Sequence, residues 1–389
     1  MNVLFITPRF PYPPFKGDQT VAYHRLKLLS REHKITLLTF YQSDIELEYL
    51  KKLNPFCKEI IPVKLSRYRS ALNMIRGIIS SLPFQVWYFK SEKFEKEVQR
   101  LLDKGDFDLI HTYMLRLAHY TEDTNVPKIL DLIDSMQLNF ERRTRLEKYP
   151  LKMVFNMELE RLRKYEVNMV NKYDASIVVS DKDKAYINSS RVESIPLGVN
   201  IEAFRPISHL AKSKIIVFSG NMGYFPNENA ILWFHEKCLG KIKQAVPDVR
   251  LLIVGNNPGP RLRELNNGNS VVVTGYVESI AKELSKAQIA IAPMQSGSGM
   301  QFKILETMAC ALPVVATSMG LGAISAINGE SILIADDAEQ FVQACVALLK
   351  DHCLAREIGR NGRELVVRKY SWERNIHSIN EVYKAIAHS

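Results

Sequence analysis

Residues 297 to 306 read Gly-Ser-Gly-Met-Gln-Phe-Lys-Ile-Leu-Glu. Lys303 and Glu306 stand three residues apart, the spacing that puts two side chains on one face of a helix. Around them the chain is almost wholly apolar from Ile304 to Val315. The preceding strand pattern AQIAIAP ends at Pro293, a short loop follows, and the periodicity predicts a helix from Met300 to Ala311, capped by Ser298 or Ser296. Gly297 and Gly299 let backbone amides come close to a ligand, and the helix start adds unpaired N–H groups and a partial positive charge. Lys303, about one turn in, reaches the same anion. A carboxylate at Glu306 would repel phosphate, so its natural partner is a pair of sugar hydroxyls. Diphosphate at the helix tip with ribose one turn deeper describes a nucleoside diphosphate. The plainer alternative is a surface Lys–Glu pair on an ordinary amphipathic helix.

These residues need a scaffold, and the rest of the chain supplies its pattern. Short β-branched runs at residues 2–7, 35–40, 108–113, 128–133 and 175–180 alternate with longer amphipathic stretches. A second series follows at residues 214–220, 249–255, 270–275, 287–293, 312–317 and 330–335. Such alternation builds βαβ units and parallel sheets. Between the two series, IPLGVNIEAFRPIS carries Pro196, Gly198 and Pro206 and reads as a linker. The expectation is an α/β chain of two doubly wound domains, with ligands bound beyond the carboxyl ends of the strands, in the cleft between them. At the N-terminal counterpart of the site, a proline-stiffened loop leads into Lys16-Gly17-Asp18 and a helix. Neither GxGxxG nor GxxxxGKS is present there, so dinucleotide-binding and Walker-type readings fail.

The chain has 389 residues, 46% hydrophobic and 24% charged, as expected of a globular protein. Five scattered cysteines with no CxxC argue for a reducing compartment and against a zinc site or a disulfide framework. MNVLFITPRFPYPP reads as a first strand and not as a signal peptide, and no apolar run approaches a bilayer span, which predicts a soluble, cytoplasmic protein. The formal charge of +10 has a telling distribution. Residues 141 to 172 mix nine Lys or Arg with five Glu, and RYRSALNMIRGIISSLPFQVWYFK interleaves basic and bulky apolar residues. That pattern suits the headgroup boundary of an anionic membrane. A solvated helix face and a core helix would explain the two stretches equally. No basic stripe with stacking aromatics is present, which excludes a nucleic-acid partner.

Taken together, PP-x-x-G-[D/G] after the first strand, IPLGVN–x–FRP at the junction and GSG-x-x-x-K-x-L-E-x-M-A–x–PVVAT resemble a GT-B glycosyltransferase of family 4, in its bacterial polysaccharide and lipopolysaccharide branch. The similarity spans nearly the whole chain, strong from 214 to 335 and weaker from 41 to 170. It implies two Rossmann-like domains facing a cleft. Residues 1–200 would form an acceptor-binding domain to which the last helix, 371–389, returns, and residues 201–370 a nucleotide-sugar-binding domain. The activity implied is retaining, metal-independent transfer of a sugar from a UDP- or GDP-linked donor to a glycan or lipid-linked acceptor. It would take place in the cytoplasm or peripherally at the inner membrane face, with no cofactor beyond the nucleotide sugar.

Carried over by position, Glu306 matches the second glutamate of the family's E-x7-E element, which binds the ribose. The first glutamate falls at Ser298, a departure shared by a GSG-containing branch. In place of a basic pair after the first strand of the second domain, this chain has Asn221 and Pro226, near Gly220. The resemblance therefore makes Lys303 the main side-chain cation for the diphosphate, aided by amides of Gly299 and Met300. Gly275-Tyr276-Val277 matches the stretch that reads the base, and Gly17 and Asp18 the N-terminal donor contact. The family histidine near the donor sugar matches His111 best, with Tyr113 and His119 as alternatives. Retention by front-face attack, in which the leaving phosphate helps deprotonate the acceptor, explains the lack of paired acid and base carboxylates. Two rival readings are a non-catalytic GT-B subunit and a sugar-nucleotide 2-epimerase.

Several acidic pairs are decoys. Asp181-Lys182-Asp183 spells a metal-transferase signature but opens a helix, where Asp serves as an N-cap, and Asp336-Asp337 is another cap. Asp131 and Asp134 in KILDLIDS end a strand and either touch an acceptor or pair with arginines. Asn227 and Asn229 are placed to cap the helix NAILWFHEK.

Overall fold

All strand pairings within the two sheets are parallel. The reason is local: the long strands are buried along almost their whole length, and a strand buried on both faces needs helices above and below it. The computed structural model describes residues 1–14, 17–206, 214–296 and 300–387. It divides into two units, Met1–Pro196 with Glu373–Ser389, and Leu197–Trp372.

The first unit holds β1 (Asn2–Thr7), β2 (Lys34–Tyr41), β3 (Glu59–Lys64), β4 (Leu109–Tyr113), β5 (Lys128–Ile133), β6 (Ala175–Val178) and β7 (Val192–Ser194). Their order is β3-β2-β1-β4-β5-β6-β7. The chain winds outward from β1 on one side and then returns to β4 on the other, so the topological switch lies between β1 and β4. The edge strands β3 and β7 escape a pattern search. Pro62 interrupts β3, which an edge strand tolerates because one side of its ladder is free, and β7 has only three residues.

The second unit holds β8 (Ile215–Ser219), β9 (Arg250–Val254), β10 (Val271–Val273), β11 (Ile289–Ala292), β12 (Val314–Ala316) and β13 (Leu333–Ile334), in the order β10-β9-β8-β11-β12-β13. The switch here lies between β8 and β11. Its core joins Ile216, Phe218, Phe234, Leu251, Ile253 and Phe341.

The terminal helix Trp372–Ala387 belongs mostly to the first unit. Asn375 Nδ2 donates to the Pro196 carbonyl (2.5 Å) and Asn380 Nδ2 to the Glu32 carboxylate (2.7 Å). Tyr383 is fully buried. Among the described residues no helix is long and apolar enough to cross a membrane.

One glycine governs the approach of β8 and β9. Gly255 follows β9 with φ +149°, and a Cβ on it would lie 1.7 Å from the Gly220 carbonyl oxygen. Gly255→Ala is therefore expected to destabilise the second unit by about 2–4 kcal/mol, through a strained φ and a displaced Gly220. Urea unfolding with the Cm compared at unchanged m checks this.

Candidate active site

At the β8–β11 switch, β8 ends and the backbone turns through Gly220, φ +153°. The Gly220 amide donates to the Val254 carbonyl at 3.0 Å, and the Met222 amide to the Asn256 carbonyl at 2.9 Å, so the turn is locked to the end of β9. The absent side chain leaves room: a Cβ at Gly220 would lie 3.0 Å from Asn227 Nδ2 and 3.6 Å from Lys303 Cε. Beyond the turn runs the helix Phe225–Phe234, which buries Asn227.

Opposite stands the helix Phe302–Ala309. It begins two residues later than its periodicity predicts. Its N-cap position is Gln301, with no side-chain cap bond. The Ser296 hydroxyl is buried without a partner among the described residues, and Ser298, with Gly297 and Gly299, lies outside them. Met300 is buried just ahead of the helix. The Ile304 amide donates to the Gln301 carbonyl at 3.0 Å, which leaves the helix amides ahead of it for another acceptor. At the other end, Arg363 Nη1 donates to the Ala309 carbonyl, where a cation complements the helix dipole.

Lys303 points back across the turn. Its ammonium donates to Asn227 Oδ1, lies 4.4 Å from the centroid of the Phe218 ring and 3.5 Å from Met294 Sδ. Asn227 is fixed in turn by Nδ2, which donates to the Asn221 carbonyl at 2.8 Å. Burial pulls the Lys303 amine down to about 7, against the opposing pull of Glu306. Burial pushes the Glu306 carboxyl up to about 7, with Lys303 working against it. The Glu306 carboxylate has no hydrogen-bond partner among the described residues. A half-buried cation and a free carboxylate thus share one helix face at the start of the helix, an arrangement able to bind a group with anionic and hydroxyl parts.

Asn227 is the member of this site that sequence reading passes over. It does not cap its helix: Tyr224 holds that position, and Asn227 lies inside the first turn. Replacing Asn227 with alanine should loosen Lys303 and weaken nucleoside diphosphate binding about tenfold, the cost of one hydrogen bond to a charged group. Asn227→Asp should weaken it further, because a carboxylate would hold the ammonium and repel phosphate. Isothermal titration with each variant checks the order.

The stretch expected to read the base follows β10. Gly275 has φ +70°, Tyr276 is exposed and Val277 half-buried. In the first unit, Gly17 opens the helix Gly17–Leu29 and Asp18 sits in its first turn. Asp18 accepts from Arg9 at 3.0 Å, and its carbonyl accepts from the Tyr113 hydroxyl at 2.8 Å. Lys16 lies outside the described residues.

His111 is a correction. It is fully buried on β4, stacked on Phe5 at 4.2 Å, with Nδ1 2.6 Å from the Tyr383 hydroxyl and Nε2 3.0 Å from Asp131 Oδ2. Asp131 is itself paired with the fully buried Arg25. Burial and the Arg25 charge hold the imidazole well below its usual range, so it is neutral. Both ring nitrogens are engaged and no face is open to a donor sugar. The alternatives fare no better: Tyr113 is buried with its hydroxyl committed to Asp18, and His119 is pulled down to about 3 by burial. No sequence signal marks this network, because Arg25 stands between His24 and Lys27 and reads as one more basic residue of its helix.

The acidic pairs are also resolved. Asp131 is the arginine partner. Asp134 is not: its Oδ1 is buried without a partner, and burial, then the Asp183 charge, raise it to about 6. It follows Ile133, whose φ of +67° is rare for a β-branched residue. Ser180, not Asp181, caps the helix Asp181–Ile187, and Asp183 accepts from the Ser180 hydroxyl and the Ser135 amide. Asp337 does cap its helix, accepting from the Gln340 amide.

Residues 213–351, which contain every side chain of the Lys303 site, match the family described as glycosyl transferases group 1. Over that stretch the chain is similar to group 1 glycosyl transferases. The chain is 25% identical over 400 residues to an uncharacterised 44.6 kDa protein in the cps region of Klebsiella pneumoniae, covering 97% of this chain and 98% of the relative. It is also 25% identical over 319 residues to the phosphatidyl-myo-inositol mannosyltransferase of Mycobacterium leprae, covering 77% of this chain and 79% of that one. Among solved structures, Anabaena HepE in complex with UDP superposes with a TM-score of 0.71 at 13% identity, covering 99% of this chain and 100% of HepE. That likeness places the chain in the GT-B fold.

Proposed function

We propose that the protein is a glycosyltransferase that moves a hexose from a UDP- or GDP-linked donor to a glycan or lipid-linked acceptor during synthesis of a cell-surface polysaccharide. In this reading it retains anomeric configuration, needs no metal, and works in the cytoplasm as a peripheral protein at the inner membrane face. The observation that carries the donor half is the Lys303 ammonium, held between Asn227 and the Phe218 ring beside a helix start, with Glu306 one turn deeper. The UDP in HepE and the cps-region relative support it.

Bond cleavage leaves negative charge on the diphosphate while the anomeric carbon becomes cationic. Lys303 and the first-turn amides are preorganised for the first demand, so the charge meets donors already in place. Glu306 accepts the ribose hydroxyls and sets the depth of the nucleotide. Front-face attack lets the departing phosphate oxygen take the acceptor proton, so the chain supplies no separate base. Differential scanning fluorimetry against UDP, GDP, ADP and CMP tests the reading. Stabilisation by one diphosphate identifies the base, and no shift with any of them favours the non-catalytic subunit.

A further inference from the structure

We infer that the first unit docks on anionic phospholipid through one defined face, built from the helix Arg67–Arg76, the turn Gly77–Ile79 that follows it, and the start of the helix Leu151–Lys172. This rests on the peripheral-membrane part of the reading above and names the surface responsible.

The helix Arg67–Arg76 has no core of its own to serve. Its one buried residue is Ser70, while Tyr68 is 74% and Ile75 64% exposed. In the turn beyond it, Ile79 is 95% exposed. At the second helix Tyr149 is 75% and Met153 62% exposed. Of the nineteen exposed large hydrophobic side chains among the described residues, eleven fall within residues 68–79 and 149–157. Scattered exposed apolar residues are ordinary, whereas a concentration of this kind marks an interaction surface.

The two stretches are tied together. Arg161 donates to the Gly77 carbonyl at 3.1 Å and to the Ile78 carbonyl at 2.7 Å, and its neighbour Glu158 accepts from the Phe84 amide at 2.7 Å. The Trp87 ring packs on Gly77, where a Cβ would come within 2.8 Å of it. Apolar groups on both stretches are thereby presented by one braced framework.

Charge selects the occupant. Residues 60–91 contain no Asp or Glu but five Lys or Arg, and residues 148–157 contain two lysines and no acid. Arg67, Arg69 and Arg76 are exposed and form no ion pair among the described residues. Basic heads beside bulky apolar side chains match the boundary between anionic headgroups and acyl chains. A second copy of the chain is a poorer fit. A two-fold interface would set this basic face against itself.

The test is flotation of the whole chain with vesicles of phosphatidylcholine alone and of phosphatidylcholine with phosphatidylglycerol. Wild type should float with the anionic vesicles only and be released by high salt. Ile78→Ser/Ile79→Ser, and separately Arg67→Gln/Arg69→Gln/Arg76→Gln, should each bind at least about tenfold more weakly. Both should keep the wild-type unfolding temperature and its nucleotide response. If wild type floats and both variants float equally, docking uses another face and this proposal falls while the peripheral reading stands. If wild type stays down, both fall, and the donor reading is judged separately by the nucleotide shift. Dimers that the isoleucine double variant dissolves, seen by light scattering without vesicle binding, would also overturn it.

Discussion

Lys303→Ala is expected to abolish the stabilisation that the cognate nucleoside diphosphate confers. At about a hundredfold excess over Kd that stabilisation amounts to roughly 2.7 kcal/mol, or on the order of 5–10 °C for a unit of this size. The reason is that the Lys303 ammonium stands beside the start of the helix Phe302–Ala309, held by Asn227 and the Phe218 ring. Affinity should also depend on pH in a way that identifies both groups. Lys303 titrates near 7 in the free protein, and an anion favours its charged form, so affinity falls as pH rises above that point. Glu306 also titrates near 7, and hydroxyl recognition needs its charged form, so affinity falls as pH drops below it. The profile is a bell centred near neutrality. Lys303→Arg should remove the alkaline limb and Glu306→Gln the acid limb.

The unliganded protein should show the reverse trend in stability. Between the usual carboxyl value of 4.5 and about 7, the folded state holds the extra proton on Glu306, so stability falls as pH rises. From about 7 to 10.5 the unfolded chain holds the extra proton on Lys303, so stability rises again. Calorimetry of wild type against a Lys303→Met/Glu306→Gln variant isolates this contribution.

Asp131→Ala should destabilise the first unit by about 3–5 kcal/mol, the cost of leaving a buried cation without its counter-ion. Arg25 and Asp131 are both fully buried, and His111 and Tyr383 extend the network to the terminal helix. Burial lowers Arg25 to about 10, which leaves it charged at neutral pH. Asp131→Ala therefore strands a cation. Arg25→Met/Asp131→Leu removes both charges and should recover most of the loss. Guanidinium unfolding of the two variants makes the comparison. His111→Asn separates structure from chemistry here: it should lower stability yet leave the nucleoside diphosphate shift unchanged. A histidine that contacts the donor would show the opposite pattern.

Much of this architecture follows from local pattern. The alternation of buried β-branched runs with amphipathic stretches determined two parallel α/β sheets, because period and burial are properties of short windows. The spacing of Lys303 and Glu306 determined that they share a helix face. The acid-free, basic and apolar segment from 60 to 91 was equally legible, as composition, though not as a surface.

Tertiary structure decided the rest, because each remaining question concerned partners distant along the chain. The bond from Lys303 to Asn227 spans 76 residues and that from His111 to Tyr383 spans 272. Asp131 and Asp134 lie three residues apart on similar ground, yet one meets Arg25 and the other does not. His111 reads as a strand-end histidine until the terminal helix covers it. Periodicity shows that a residue has a face, but a side chain's burial, charge state and partners depend on which distant element packs against that face.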